Sequence, residues 1–461
     1  MLRCKAPHGC EIEKSYIIKQ VFEARLGLTI SIEFDQGTDF RISMGGETSV
    51  CKLPNYFFSN FTKKIDEKSL VGNFSDEFWY VPKHLKSTGI LGTTLPKYFR
   101  PQVTRIKDKQ ASYVIPIDIF GICFFLLSRM EEYNHNVRDK HDRFSAYNSV
   151  NYKLGVLHRP IVDEVIELLW NYISRQWPKL RRKEDSFAIN VSHDVDHPSR
   201  YKFCNRGTFI KRSAKDILVN GKVRPVFHGL RSRIDLLRDI PETDPFNNFT
   251  WIMHESEKRG LQSTFFFMCD ANHFIYDPDY DINSPSLKTI MKNIDSRGHI
   301  LGVHPSYMCF DNSLNMKNEV YKWRSIIKAN DLTHGKMISR MHYLRFNVNI
   351  SPLLMEQSGI EEDYTLGFAD CAGFRAGTSK DFQFFSITER RELDLIMKPL
   401  CAMEASVLSY MGKSHSEAYD YFIKLKRACE RVGGVFSLLW HNSHLVSGAD
   451  RELYLSTISN A

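Results

Sequence analysis

Four short apolar runs in the second half of this chain end alike, each on side chains that ionise or bind metals. SFAINV runs into Ser192-His193-Asp194-Val195-Asp196-His197, and HILGV into His304-Pro305. MIS runs into Arg340-Met341-His342-Tyr343, and VFSLL into Trp440-His441. Between the first and the last run lie a further apolar strand, Ser263–Met268, and segments with helical spacing at Asn248–Arg259, Ser286–Arg297, Asn315–Ala329 and Pro352–Ser358. Strands that alternate with helices predict a parallel sheet, closed or open. Chemistry in such sheets gathers beyond the C-terminal ends of the strands, where all four clusters fall.

The clusters suit one another. Side chains alternate across a strand, so Asp194 and Asp196 share a face. Two carboxylates that close repel when both are ionised, and a metal relieves the repulsion. One can then bind the metal while the other remains a proton acceptor. The plainer reading, a polar strand end with an aspartate capping the next turn, accounts poorly for four ionisable residues in five positions. His304 offers an imidazole at a strand end, a good donor to a divalent metal. Arg340 can grip a carboxylate bidentately and keep it ionised. His441 is a candidate general acid.

The first half reads differently. LTISIEF and ASYVIPID look like strands, and Ile117–Tyr133 and Ile161–Trp177 carry apolar residues at helical spacing. A charged, turn-prone connection, NHNVRDKHDRFSAYNS, lies between the two helices. WPKLRRKED, Trp177 to Asp185, ends a helix with proline and a run of charge, and marks a boundary between residues 1–180 and 186–450.

The formal net charge of +8 is local. Arg200 to Ile240 holds eleven Lys/Arg against three Asp, and the remainder is near neutral. This basic insertion, at about 200–240, reads as a solvated helix pair or as a surface for acidic sugars, lipid-linked phosphates or an anionic membrane. No nucleic-acid motif accompanies it, so a nucleic-acid partner is not expected. The ten cysteines form no CxxC pair, and no apolar stretch resembles a signal peptide or a membrane span. A cytoplasmic protein is the expectation.

The order of the clusters, from the Asp pair to Leu439-Trp440-His441, resembles that of the polysaccharide (NodB-type) deacetylases, over about residues 186–450. FFLLSRMEEYN, DRFSAYNS, HRPIVDE and GFADCAGFRAGTS resemble a bacterial subgroup with an extra N-terminal domain. The resemblance implies an α/β fold, a distorted (β/α)7 barrel preceded by a smaller α/β domain. It implies one divalent metal, usually zinc, and removal of N- or O-acetyl groups from a carbohydrate, in bacterial surface polysaccharide metabolism. Asp194 matches the catalytic base, Asp196 a metal ligand and His304 the first histidine of a metal-binding His-x-x-x-His. Arg340 and Tyr343 match the ends of Arg-x-Pro-Tyr, whose arginine orients the base and whose tyrosine N–H helps hold an oxyanion. Leu439 and His441 match Leu-x-His, with His441 as acid.

Three departures bear on this reading. Met308, a poor zinc ligand, stands where the second histidine is expected. His342 or His197 could supply the missing nitrogen, and His342 is favoured because its motif neighbours already belong at the site. Glu404 is a weak candidate to tune His441, while Asp363 and Arg375 either pair, line the pocket or are structural. A deacetylase-like glycan binder or scaffold without catalysis is the alternative that Met308 keeps open, and a small-amide hydrolase is a third.

Overall fold

The computed structural model describes residues 1–60, 74–99, 114–133, 135–221, 223–235, 239–278, 280–333 and 335–459. The chain is a mixed α/β protein. Its first part builds a four-stranded sheet in the order β2-β1-β3-β4, from β1 Leu2–Pro7, β2 Ile30–Asp35, β3 Phe40–Met44 and β4 Val50–Leu53. A hairpin of β5 Phe74–Tyr80 and β6 Thr94–Phe99 follows. LTISIEF thus becomes β2. Of ASYVIPID, residues 111–113 lie outside the described residues, and 114–118 form a bent segment rather than a strand. Helix Ile119–Leu127 is shorter than its sequence pattern and is buried throughout. The Asp118 side chain caps it by accepting from the Gly121 N–H, so the helix starts at a satisfied end. Helix Ile161–Gln176 forms as expected.

The second part centres on nine strands. These are β7 Ala188–Val195, β8 Ser263–Phe267, β9 Ile300–Val303, β10 Ile338–Ser339, β11 Glu362–Asp363, β12 Phe382–Ser386, β13 Arg391–Met397, β14 Ala402–Met403 and β15 Val435–Leu439. Their order is β12-β13-β11-β10-β9-β8-β7-β15-β14. Every neighbouring pair is parallel except the β12–β13 edge. The two outer strands, β12 and β14, share no ladder among the described residues, so hydrogen bonding does not close this sheet into a ring.

The register explains why four distant motifs can meet. Val195 pairs with Phe267, Phe267 with Val303, Val303 with Ser339, and Ser192 with Leu439. In a parallel sheet, the residues that follow those pairs emerge at one end. They are Asp196, His304, Arg340 and Trp440-His441. The central strand β8 is buried on both faces, all five of its residues included, as a sheet covered on both sides requires. Gly302 lets β9 lie close to its neighbours, since a Cβ there would sit 2.6 Å from the Phe266 ring and 2.9 Å from Ile338.

One continuous apolar core runs from Leu2 to Ile458 and includes residues on both sides of the 180/186 boundary. Polar ties cross that boundary as well. Glu132 accepts from Arg375, Asp163 from Thr378 and Ser379, and the Gln383 carbonyl from Tyr16. No described helix is long and apolar enough to cross a membrane.

Candidate metal centre

Asp196, His304 and His342 come together at the C-terminal end of the sheet, with one ligand atom of each within 4.8 Å of the others. His304 Nε2 lies 3.3 Å from Asp196 Oδ1, and His342 Nε2 lies 3.7 Å from the same oxygen. Donors about 2.0–2.1 Å from a tetrahedral zinc stand about 3.3 Å from one another, so the spacing is close to that of a ligand set.

The orientation of both rings is fixed from behind. His304 Nδ1 lies 2.5 Å from the Arg340 carbonyl, which can only accept, so that nitrogen carries the proton. In the neutral ring, its Nε2 is the lone pair free to bind a cation. His342 Nδ1 lies 3.0 Å from Asp277 Oδ1, an arrangement that turns its Nε2 toward Asp196. Asp277 is itself held by the N–H groups of Asn272, His273 and Tyr307. This is the carboxylate–histidine support that metal-binding imidazoles commonly have. His304 Nε2 and Asp196 Oδ1 are buried, and neither has a hydrogen-bond partner. Buried polar atoms are rarely left so, and a cation is the group that satisfies a lone pair and a carboxylate together. The residues present therefore fit a divalent metal.

Charge bears on the same atoms. Burial alone would raise the Asp196 pKa, but His342, His304 and His441 around it hold it well below the usual carboxylate range. His342 is opposed by its burial and still pushed up to about 9 by Asp196 and Asp277. A proton and a cation thus compete for His342 Nε2.

Asp194 sits beside this group, its Oδ2 3.8 Å from His304 Nε2. Arg340, wholly buried, donates from one terminal nitrogen to Asp194 Oδ1 at 3.0 Å and to Ser192 Oγ at 2.8 Å. Its Nε donates to the Tyr364 carbonyl, which fixes the guanidinium plane. As strand alternation requires, Asp194 and Asp196 share a face, and His193 points the other way. His193 stacks on Phe265 and bonds the Trp440 carbonyl, away from the site.

His441 Nε2 stands 3.6 Å from Asp196 Oδ2. Its Nδ1 lies 2.5 Å from Glu404 Oε1, which also takes the His441 N–H and His444 Nδ1. Burial pulls the His441 pKa down, but Glu404, Asp196 and Asp194 together push it up to about 10. The weak candidate Glu404 is therefore the carboxylate that orients this histidine.

Tyr343 lies on a turn with φ 60°, in the left-handed region. Its ring joins a group made by Tyr276, Tyr307, His273 and His141, with neighbouring centroids 4.5–5.9 Å apart. The Arg143 guanidinium donates to the Tyr343 carbonyl at 2.9 Å, while Asp139 accepts from its Nε. Residues 139–143 of the charged connection thus wall the site.

Other expectations resolve simply. Met308, on the turn after β9, is 38% exposed. His197 is exposed and does not belong to the group of Asp196, His304 and His342. Arg375 pairs with Glu132, while Asp363 accepts from Ser339 and Thr365 behind the sheet's end. Both serve structure.

The model of a family of unknown function (DUF7033) matches residues 2–178. No curated protein matches the chain. Among solved structures, a candidate polysaccharide deacetylase from Mycobacterium smegmatis is similar over 60% of this chain and 84% of its own, at 11% identity and a TM-score of 0.39. That likeness is too slight to establish a shared fold.

Among the contributors that the sequence does not mark are Asp277, His141 and Arg143. Each lies in a loop with no periodicity, and nothing local marks a loop carboxylate as the support of a histidine 65 residues away.

Proposed function

We propose that this chain is a metal-dependent hydrolase that removes acetyl groups from a carbohydrate, its second part a distorted (β/α)7 barrel of the polysaccharide-deacetylase type. The observation that carries the reading is the paired orientation of His304 and His342. Each commits Nδ1 to a fixed acceptor and aims Nε2 at one oxygen of Asp196. Two imidazoles and a carboxylate with an open fourth position form a donor set that suits a catalytic zinc.

A divalent cation held by Asp196, His304 and His342 would supply Lewis acidity, lowering the pKa of a water and polarising the acetyl carbonyl. Asp194, held in place by Arg340, accepts the proton of the attacking water. The Tyr343 N–H is the group the resemblance assigns to the developing oxyanion. His441, charged through Glu404, gives its proton to the departing amine or alkoxide. The aromatic wall of Tyr276, Tyr307 and Tyr343 suits the apolar faces of a sugar ring. Bacterial surface-polysaccharide precursors are the substrates that the resemblance implies.

Protein purified without chelator should hold about one zinc per chain, by the three-donor rule. It should release acetate from an acetylated sugar, and His304→Ala should lose both properties. A metal-free wild-type chain that releases no acetate would leave a glycan-binding or scaffold protein instead. Release from small cyclic amides but not from N- or O-acetyl sugars would move the substrate class.

A further inference from the structure

Two helices that follow β7, Arg206–Leu218 and Val223–Ile234, are built inside out. Their buried positions include Ser213, Asp216, Gly229 and Ser232, with Val226 the one bulky apolar residue among them. Gly229 lets the second helix close on Tyr201, where a Cβ would stand 2.6 Å from the ring. Asp216 accepts from Arg200 and from the Tyr201 hydroxyl. The polar and small face is therefore the one that docks.

The opposite faces are apolar and turned to solvent. Ile210, Ala214, Ile217 and Leu218 follow helical spacing on the first helix, as do Val223, Phe227, Leu230 and Ile234 on the second. Ile210 is 66% exposed, Leu218 83%, Val223 60%, Phe227 50% and Ile234 75%. Single exposed apolar residues need no explanation, but two aligned stripes on adjacent helices do. Arg206, Lys211, Lys215, Arg224 and Arg231 are exposed on the same helices. Asp216, the one acid in residues 206–234, is neutralised by Arg200.

We propose that this helical hairpin seats the protein on an anionic lipid bilayer. Apolar stripes flanked by Lys and Arg, with the axes lying in the interface, are the form in which a helix binds such a surface. A second copy of the chain fits less well. Self-association would bring five exposed cations from each copy around one contact, with no exposed acid on these helices to meet them. The hairpin is also tied to the end of the sheet that holds the donor group. Asn442 donates to the His197 carbonyl, and Asp244 accepts from Ser199 and Arg200. A seated hairpin would hold that end near the bilayer. The proposal stands on these helices alone and does not depend on the hydrolase reading.

Flotation of the full chain with vesicles tests it. The wild type should float with phosphatidylcholine–phosphatidylglycerol vesicles and remain behind with phosphatidylcholine alone. Leu218→Ser with Phe227→Ser should weaken partition about tenfold. Lys211→Glu, Lys215→Glu and Arg224→Glu together should weaken it about a hundredfold or more, and added salt should mimic them. All variants should keep the wild-type circular dichroism, because each altered side chain is exposed. Failure of the folded wild type to float with anionic vesicles overturns the proposal, as does equal binding to neutral ones. So does a dimer in solution that the serine variant dissociates, which would make a second copy the occupant.

Discussion

At the scale of single residues, one carboxylate decides how well His342 can serve as a ligand. Asp277 fixes that ring through Nδ1, and its other contacts are backbone N–H groups that hold the carboxylate still. Asp277→Asn keeps the shape and weakens the acceptor, so metal affinity should fall about 10- to 100-fold. Competition with a chelator of known affinity measures this, and unchanged affinity would mean that His342 is not a ligand. The three candidate donors are legible in the sequence because each is local to a strand end. Asp194 and Asp196 advertise a shared face by their spacing, and His304 precedes a proline that stops its strand. Asp277 could not be read in this way. It sits in the loop after β8, 65 residues from the ring it holds, and only the fold joins them.

At the scale of elements, helices Ile161–Gln176 and Ser313–Ala329 match their sequence patterns, helix Ile119–Leu127 falls short of its own, and some of the shortest strands do not announce themselves. β11 and β14 have two residues each, too few for any periodicity, and exist because neighbouring strands pair with them, whereas the equally short β10 falls in the apolar run MIS that the sequence marks. The connection between helices Ile119–Leu127 and Ile161–Gln176 shows the same limit with more consequence. Its charge and turn residues suggested a loop, yet His141 and Arg143 reach the turn that carries Tyr343. A non-glycine residue at φ 60° is uncommon and is held there by its surroundings. Arg143 supplies one such restraint with a charge-assisted bond to the Tyr343 carbonyl. Removing it as Arg143→Ala should release about 1.5–3 kcal/mol of restraint, which allows a fall of about tenfold or more in kcat for acetate release. Zinc content should not change, because Arg143 bonds none of the three donors. A parallel loss of metal would instead place its effect on the donor group.

At the scale of the whole molecule, Glu132 joins what the sequence divides. It lies in the first part of the chain, wholly buried, and accepts both from Arg129 beside it and from Arg375 beyond the boundary. Glu131 completes the network on Arg129, and Arg129 also donates to the Arg375 carbonyl. Burial alone would raise the Glu132 pKa, yet the guanidiniums of Arg375 and Arg129 outweigh it and lower the pKa from 4.5 to about 2. A folded-state pKa below the unfolded one adds stability that is fully present above about pH 4.5 and drains as pH falls toward 2. At about 1.4 kcal/mol per unit, that contribution is on the order of 3 kcal/mol at neutral pH. Glu132→Gln should remove a similar amount, since Arg375 then loses its carboxylate partner and Arg129 keeps only Glu131. Urea unfolding at a series of pH values checks both statements. The gap between wild type and Glu132→Gln should be constant from pH 7 to about 5 and should narrow below 4.5, where the wild-type carboxylate begins to take up its proton in the unfolded chain. A gap that ignores pH would assign the loss to packing and not to charge. Because the same carboxylate grips both parts of one continuous core, fluorescence and circular dichroism should follow a single transition in either protein. Two separate transitions would mean that the first part of the chain can unfold without the second, and the wall it gives the site through Arg143 would then be lost before the donor group is.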